Sequence, residues 1–169
     1  MRASSAVLLP HAPSSVAIAR RRLRSELRAC GVRSSVVDDA AVIVSELLSN
    51  ALRHARPLPS GQIQVSWTRT GDVLEVAVSD GGAMTEPRRG QPTLSSLGGR
   101  GLGIVEALAE HWGVRHEGDR TTVWAVLSAP CDPHPQGGSV PKLAQTAAFA
   151  DDAEVADSAS WHHTRFAGG

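Results

Sequence analysis

Apolar and polar positions repeat with two different periods along this chain, and each change of period marks an element. A short apolar run from Ala6 to Leu9 ends at Pro10 and predicts an edge strand. Ser14-Ser15 then offers an N-cap for a helix that runs to about Cys30 and stops at Gly31. Val16, Ala19, Leu23, Leu27 and Cys30 fall at helical spacing there, with arginines on the remaining faces. A second helix is marked more strongly. Ser34 or Ser35 caps it, and Asp38 and Asp39 occupy its first turn. The stripe Val37, Ala40, Ala41, Val44, Leu47, Leu48, Ala51 and Ala55 carries it to about His54, and Arg56-Pro57-Leu58-Pro59-Ser60-Gly61 ends it.

The period then drops to two. Gln62 to Thr68 alternates Ile63, Val65 and Trp67 with polar neighbours. Val73 to Val78 repeats the pattern, with Val76 and Val78 read on one side and Leu74 on the other. Thr70-Gly71-Asp72 between them predicts an antiparallel hairpin. Residues 80–100 lose all periodicity and collect Gly, Pro and Ser, which predicts a mobile loop of about 20 residues, a length often used for functional lids. A third helix is expected from about Gly101 to His111, then strands near Gly113–His116 and Thr122–Leu127. Beyond Pro130 small residues and scattered acids dominate. The expected organisation is therefore one domain over residues 1–129 and a disordered tail over 130–169, with no internal repeat.

Composition narrows the function. The 169 residues suit one domain with a real core, and 41% hydrophobic with 20% charged residues predicts that most of the chain folds. Lys and Arg number 17, as do Asp and Glu, and zero net charge argues against a protein that grips nucleic acid electrostatically. The arginines of residues 20–28 are better read as a solvated helix face than as a partner- or RNA-binding one. The only lysine is Lys142, so no Gly-Lys-Ser/Thr phosphate loop exists. Cys30 and Cys131 lack metal-type spacing and imply neither a disulfide framework nor a zinc site. Tail histidines His162-His163 are weak evidence for a metal. The N-terminal MRASSAVLLP is too short for a secretory core, and no apolar run approaches the roughly 20 residues that cross a bilayer. A cytoplasmic protein with no membrane partner is expected.

Candidate chemistry starts with Glu46 and Asn50, four residues apart on the second helix and so stacked on one face. With Val44 at the middle of the apolar stripe, Glu46 falls at about 200° and Asn50 at about 240° on a helical wheel. Both then point away from the main core, either onto a wet surface or into a covered site. Asp80 ends a strand and is followed by Gly81-Gly82, a pattern that makes a turn or lets a ligand approach the backbone. Gly98-Gly99-Arg100-Gly101-Leu102-Gly103-Ile104 leads into the third helix, where bare N–H groups and the helix dipole suit an anion; a ligand-free glycine hinge is the alternative. It is no dinucleotide fingerprint, because Glu106 stands where a third glycine belongs and no strand directly precedes it.

In this order the elements resemble the GHKL ATPases, and more narrowly the small bacterial anti-sigma-factor-type serine kinases and their stand-alone histidine-kinase-like ATP-binding relatives. Val44 to Ala55 is similar to the family's N box, Val78-Ser79-Asp80-Gly81-Gly82 to its first glycine box, and Gly99-Arg100-Gly101-Leu102-Gly103-Ile104 to its second. Trp112-Gly113 followed by Thr121-Thr122-Val123-Trp124-Ala125 resembles the closing strands, and the likeness covers roughly residues 6–128. It implies an α+β two-layer sandwich, the Bergerat fold, with a mixed, mostly antiparallel sheet and helices on one face. It implies ATP and Mg²⁺ as cofactors. By the same resemblance Asn50 ligates Mg²⁺, Asp80 accepts the adenine amino group, and Gly82 belongs to the lid base. Gly99, Arg100, Gly101, Leu102 and Gly103 surround the phosphates, Thr122 meets the adenine end, and Glu46 is the catalytic base.

The chain departs from that pattern in two places. Met84 stands where many relatives have a third glycine, and Thr121, with Arg120 adjacent, stands where the last box often has a lysine. The leading expectation is an ATP-dependent protein serine/threonine kinase that regulates transcription by phosphorylating a STAS-type anti-anti-sigma partner, sequestering a sigma factor, or both. The alternative is a non-catalytic module whose lid at 83–98 switches with nucleotide. An arginine-helix nucleic-acid binder is the weakest of the three. Whether a homodimer forms is left open.

Overall fold

The computed structural model describes residues 2–83 and 100–133, with Arg100 and Gly101 in backbone only. The expected lid and most of the expected tail lie outside those residues. Eight elements follow in chain order: β1 (Arg2–Pro10), α1 (Ser14–Ala29), α2 (Ser34–His54), β2 (Gln62–Thr70), β3 (Val73–Asp80), α3 (Arg100–Leu108), β4 (His111–Glu117) and β5 (Arg120–Ser128). They form an α+β fold with one five-stranded sheet in the order β1-β2-β3-β5-β4. The expectation was a mixed, mostly antiparallel sheet, and every pairing is antiparallel.

The alternation of side chains decides which face of the sheet is covered. Ile63, Val65 and Trp67 of β2, Leu74, Val76 and Val78 of β3, and Val123, Ala125 and Leu127 of β5 are all buried. They join Leu23 and Leu27 of α1, Val37 to Ala51 of α2, and Leu102 and Val105 of α3 in one core. Leu74 thus lies with Val76 and Val78, not across from them; positions two and four apart in a strand must share a face. A fully buried Leu, Ile or Val contributes about 1.5–3 kcal/mol, so this face holds the two layers together. A polar contact adds register. Glu26 of α1 accepts the Trp67 indole N–H at 2.9 Å and the Ser5 hydroxyl, pinning α1 over β1 and β2.

The ends of the helices differ from expectation. Ser14 and Ser34 are the first helical residues, preceded by Pro13 and Arg33 without any side-chain cap. Ser15 instead turns inward and donates to the Pro10 carbonyl at 2.6 Å. β1 is longer than its apolar run, because Arg2 to Ser5 pair with Thr70 to Trp67 through backbone bonds that need no apolar side chain. α3 stops at Leu108, and β4 starts at His111, two residues earlier than Gly113. Residues 130–132, assigned to the tail, are still tied to the domain: Arg33 N–H donates to Pro130, Cys131 bridges Val32, and Asp132 N–H donates to Gly31.

One short segment sets the geometry of the next section. After α2 ends, Arg56 N–H donates to Gly82 O at 2.9 Å, Gly81 N–H donates to Arg56 O at 2.8 Å, and Ala55 bridges Ala83. The close approach requires a glycine. A Cβ on Gly81 would stand 2.1 Å from the Pro57 carbonyl oxygen. Gly81→Ala is therefore expected to destabilise the fold by about 2 kcal/mol, the scale of an overpacked site, which a urea titration of both proteins would measure.

Candidate functional site

α2 and β3 finish side by side, and each delivers a polar side chain that the fold buries. Asn50, one turn from the end of α2, is 6% exposed, and Asp80, the last residue of β3, is 3% exposed. The burial of Asn50 excludes the wet-surface alternative: its flank of α2 is covered. Ile43, which the wheel's stripe omits, is fully buried. Asn50 lies seven residues further on, two turns along the same flank. α2 packs against α1, α3, β3 and β5, so more than one of its faces is covered. Glu46 remains half-exposed, on the flank nearer the exposed Val42, and opens onto a cavity of about 390 Å³ lined also by Arg20, Arg24, Ala41 and Ser45.

Asp80 is held by the turn that follows it. Its Oδ1 accepts the Gly82 N–H at 2.8 Å, and Gly82 reaches that position with φ +93°, a conformation that favours glycine. The two glycines have separate tasks: Gly81 admits the Pro57 backbone, and Gly82 makes the turn. Burial pushes the Asp80 carboxyl above its ordinary pKa; the Gly82 hydrogen bond and the nearby His11 and His116 pull the other way but do not offset it. A carboxyl raised in this way binds its proton more tightly folded than unfolded. Its contribution to stability is thus present at low pH and lost as pH rises through the raised value. Ionising the carboxyl in this buried place costs stability, and a group perturbed in this way is a candidate for ligand binding or chemistry.

The strand register rearranges one expected role. Asp80 pairs with Thr121, while Thr122 pairs with Ser79, and the Thr122 and Ser79 hydroxyls bond each other at 2.7 Å. Because Val123, Ala125 and Leu127 mark the helix-facing side of β5, Thr121 shares that side with Asp80 and Thr122 lies on the other. Thr121, and not Thr122, therefore shares the side of the sheet that carries Asp80. A Cβ on Gly82 would come 3.8 Å from the Thr121 hydroxyl, and that hydroxyl meets His116 Nδ1 at 3.1 Å. His11, whose Nε2 lies 3.1 Å from the Ala55 carbonyl, joins the same end of the domain. The parity of β5 would have found Thr121; nothing in the sequence marked His11.

Leu102 and Val105 anchor α3 in the core, and a Cβ on Gly103 would meet nothing within 4 Å among the described residues. Gly99 lies outside the described residues, and of Arg100 and Gly101 only the backbone is given.

The donor set fits a hard cation delivered with its own ligands. Asn50 offers an oxygen, and among the described residues no group of three or more His, Cys, Asp or Glu side chains forms a metal cage. Mg²⁺ is commonly held through one or two protein oxygens plus substrate phosphates. Likewise a buried carboxylate with one backbone donor has acceptor capacity left for an amino group. Among the described residues no helix is long and apolar enough to cross a membrane.

Comparison with known proteins agrees with this fold. The curated relatives include the serine-protein kinase RsbW of Listeria monocytogenes serotype 4a (strain HCC23), 29% identical over 114 residues, covering 60% of this chain and 73% of the relative. The RsbW of Oceanobacillus iheyensis is likewise 29% identical over 114 residues, with 60% and 72% covered. Among solved structures, the RsbU and RsbW domains of Rv1364c from Mycobacterium tuberculosis match with a TM-score of 0.59 at 22% identity. That match spans 75% of this chain and about a third (32%) of the other; it speaks for the fold. The family model for the histidine kinase-like ATPase domain matches residues 9–127, from the end of β1 through β5, and the chain belongs to that family.

Proposed function

We propose that the chain binds ATP with Mg²⁺ and transfers the γ-phosphoryl group to a serine or threonine hydroxyl of a STAS-type anti-anti-sigma partner, and so regulates transcription, alone or together with sequestering a sigma factor. The observation that carries this reading is the burial of Asn50 and Asp80 at the adjoining ends of α2 and β3, stitched together by Arg56, Gly81 and Gly82. The relatives named serine-protein kinase RsbW support the reaction class. The same reading makes the cytoplasm its compartment and requires neither membrane nor nucleic acid.

Each residue has a task in this reading. Asp80 accepts the exocyclic amine of adenine, a donor that guanine lacks at that position, with Thr121 beside it and the Gly82 turn fixing its carboxylate. The backbone N–H groups at the start of α3, from Gly99 through Arg100, Gly101, Leu102 and Gly103, hold phosphate oxygens at the positive end of the helix dipole. Asn50 supplies the amide oxygen to Mg²⁺, which when bound neutralises phosphate charge. Glu46 takes the proton from the attacking hydroxyl at the open side of α2. Most of the rate then comes from positioning and charge neutralisation.

A second reading, a nucleotide-switched module without turnover, is favoured by one contact. Arg120, beside the place where relatives often carry a lysine, donates to Gln64 at 3.2 Å. Its cation is engaged on the sheet. The deciding experiment incubates the full chain with labelled Mg-ATP and a cognate STAS domain. Phosphate on the STAS domain supports the kinase; calorimetric ATP binding with no transfer, and partner affinity that changes with nucleotide, supports the switch.

Asp80→Asn separates the binding role from the fold. The Asn Oδ1 can still accept the Gly82 N–H, but the buried charge is gone. The nucleotide-free variant is expected to lose the fall in melting temperature that the wild type shows as pH rises through the raised carboxyl pKa, because the cost of ionising a buried carboxyl is removed. ATP affinity is expected to fall about tenfold, the worth of a charge-assisted hydrogen bond, with reduced preference for ATP over GTP. Calorimetry and thermal melting read the two effects independently.

A further inference from the structure

Two cysteines far apart in sequence meet at the end of the sheet remote from Asp80. Cys131 pairs with Val32 in an isolated antiparallel bridge, and Asp132 N–H donates to the Gly31 carbonyl at 2.9 Å. This contact lays the Cys131 thiol on the backbone of Cys30, 101 positions earlier, with Sγ 3.4 Å from the Cys30 carbonyl oxygen. Arg69, only 14% exposed, holds the sulfur there: its Nη2 lies 3.1 Å from Cys131 Sγ and 3.0 Å from the Ala129 carbonyl. Both thiols are free and exposed.

We propose that Cys30 and Cys131 form a reversible intramolecular disulfide, a redox modification site that fixes where the chain leaves β5. Cys30, at the C-cap of α1, lies two residues before Val32, the bridge partner of Cys131, so the two cysteines share this end of the fold. A disulfide takes about 4.4–6.8 Å between Cα atoms. With Cys131 Sγ already against the Cys30 backbone, closure needs a rotation of the Cys30 side chain toward that sulfur and a small adjustment of the bridge to bring the Cα atoms into this range. An isolated bridge with no flanking ladder on that side offers little resistance to either.

The oxidant is a low-molecular-weight disulfide, RSSR, and the chemistry is two exchanges. The Cys131 thiolate attacks one sulfur of RSSR, giving Cys131–S–S–R and releasing RS⁻, which takes up a proton. The Cys30 thiolate then attacks Cys131 Sγ, forming the Cys30–Cys131 bond and expelling the second RS⁻. Two protein thiols are oxidised and one RSSR is reduced to two RSH. In a reducing compartment a bond of this kind is a sensor rather than a permanent staple. The loop that it closes is about 100 residues long and takes in α2, α3 and four of the five strands, so closing it restricts the unfolded chain strongly.

The test uses the full, reduced chain and glutathione disulfide. The expected product has lost two hydrogen masses, carries no adduct, and yields a peptide joining Cys30 to Cys131; dithiothreitol reverses it. Cys30→Ser and Cys131→Ser are each expected to stop at one glutathione adduct. The oxidised wild type is expected to melt roughly 10 °C above the reduced form. Absence of reaction, glutathione adducts that accumulate at either thiol of the wild type without a link, or a link between two chains would each overturn the proposal. None of these readouts depends on ATP, so the proposal stands or falls apart from the kinase reading.

Discussion

Glu46→Gln is expected to lower phosphoryl transfer to the STAS partner by roughly 10²–10⁴-fold, the contribution of a positioned general base, while ATP affinity changes by less than about twofold. The asymmetry follows from where α2 puts its two polar residues. Asn50 is buried against the domain, whereas Glu46, one turn earlier, is half-exposed beside Val42 and faces the cavity between α1 and α2. A hydroxyl carried by a second protein can reach Glu46 from that side. Glutamine keeps the shape and the hydrogen-bonding reach of the side chain but cannot take a proton. The loss corresponds to about 2.7–5.5 kcal/mol of transition-state stabilisation, confined to the chemical step. Single-turnover transfer and calorimetric titration measure the two quantities separately. A parallel loss of ATP binding would assign Glu46 to holding the nucleotide; undiminished transfer would remove it from the reaction.

The split between Glu46 and Asn50 also shows how much the sequence discloses. The stripe on α2 and the alternation on β2, β3 and β5 are direct consequences of burial, so the elements and the covered face of the sheet were legible. So was the pairing of β2 with β3, where Gly71 makes the turn. What failed was anything depending on a second packing partner. The wheel for α2 assumes one covered face and so leaves Asn50 between a wet surface and a covered site; the burial of Ile43 and Asn50 shows that a second flank is covered. Helix starts were misread for a related reason, since Ser15 spends its hydroxyl on the tertiary contact with Pro10 rather than on a cap. Resemblance alone points to Thr122, although parity with Val123 puts Thr121 on the side of Asp80. The closeness of Cys30 and Cys131 was not legible at all, because it depends on how α1, β2 and the end of β5 converge.

The glycines after Asp80 show the same limit from another side. The sequence reading gave both of them to bending and to ligand approach. In the fold, Gly81 is needed because the chain leaving α2 crosses it at Pro57, and Gly82 because the Asp80 carboxylate is capped by its N–H. The segment that ends α2 therefore positions Asp80 indirectly. A change at Pro57 or Gly81 that opens this crossing would loosen the carboxylate without touching any ligand.

Removing the other arm of the site has a sharper signature. Asn50→Ala is expected to weaken Mg-ATP binding about 100-fold, near 2.7 kcal/mol, and to leave the much weaker binding of metal-free ATP nearly unchanged. The carboxamide is buried at the last full turn of α2, where alanine is a good helix former. Deleting it removes an oxygen donor without exposing a charge, so the fold should tolerate the change. Asn50→Asp is the informative companion, because it keeps an oxygen in place for a hard cation. Its Mg-ATP affinity is expected to stay within about tenfold of wild type. Titrations with and without Mg²⁺ on the three proteins test the assignment as a set. If alanine weakened metal-free ATP and Mg-ATP equally, Asn50 would be a general support of the pocket. If neither changed, the buried carboxamide would have no part in nucleotide binding, and the reading of this end of the domain as an ATP site would fall with it.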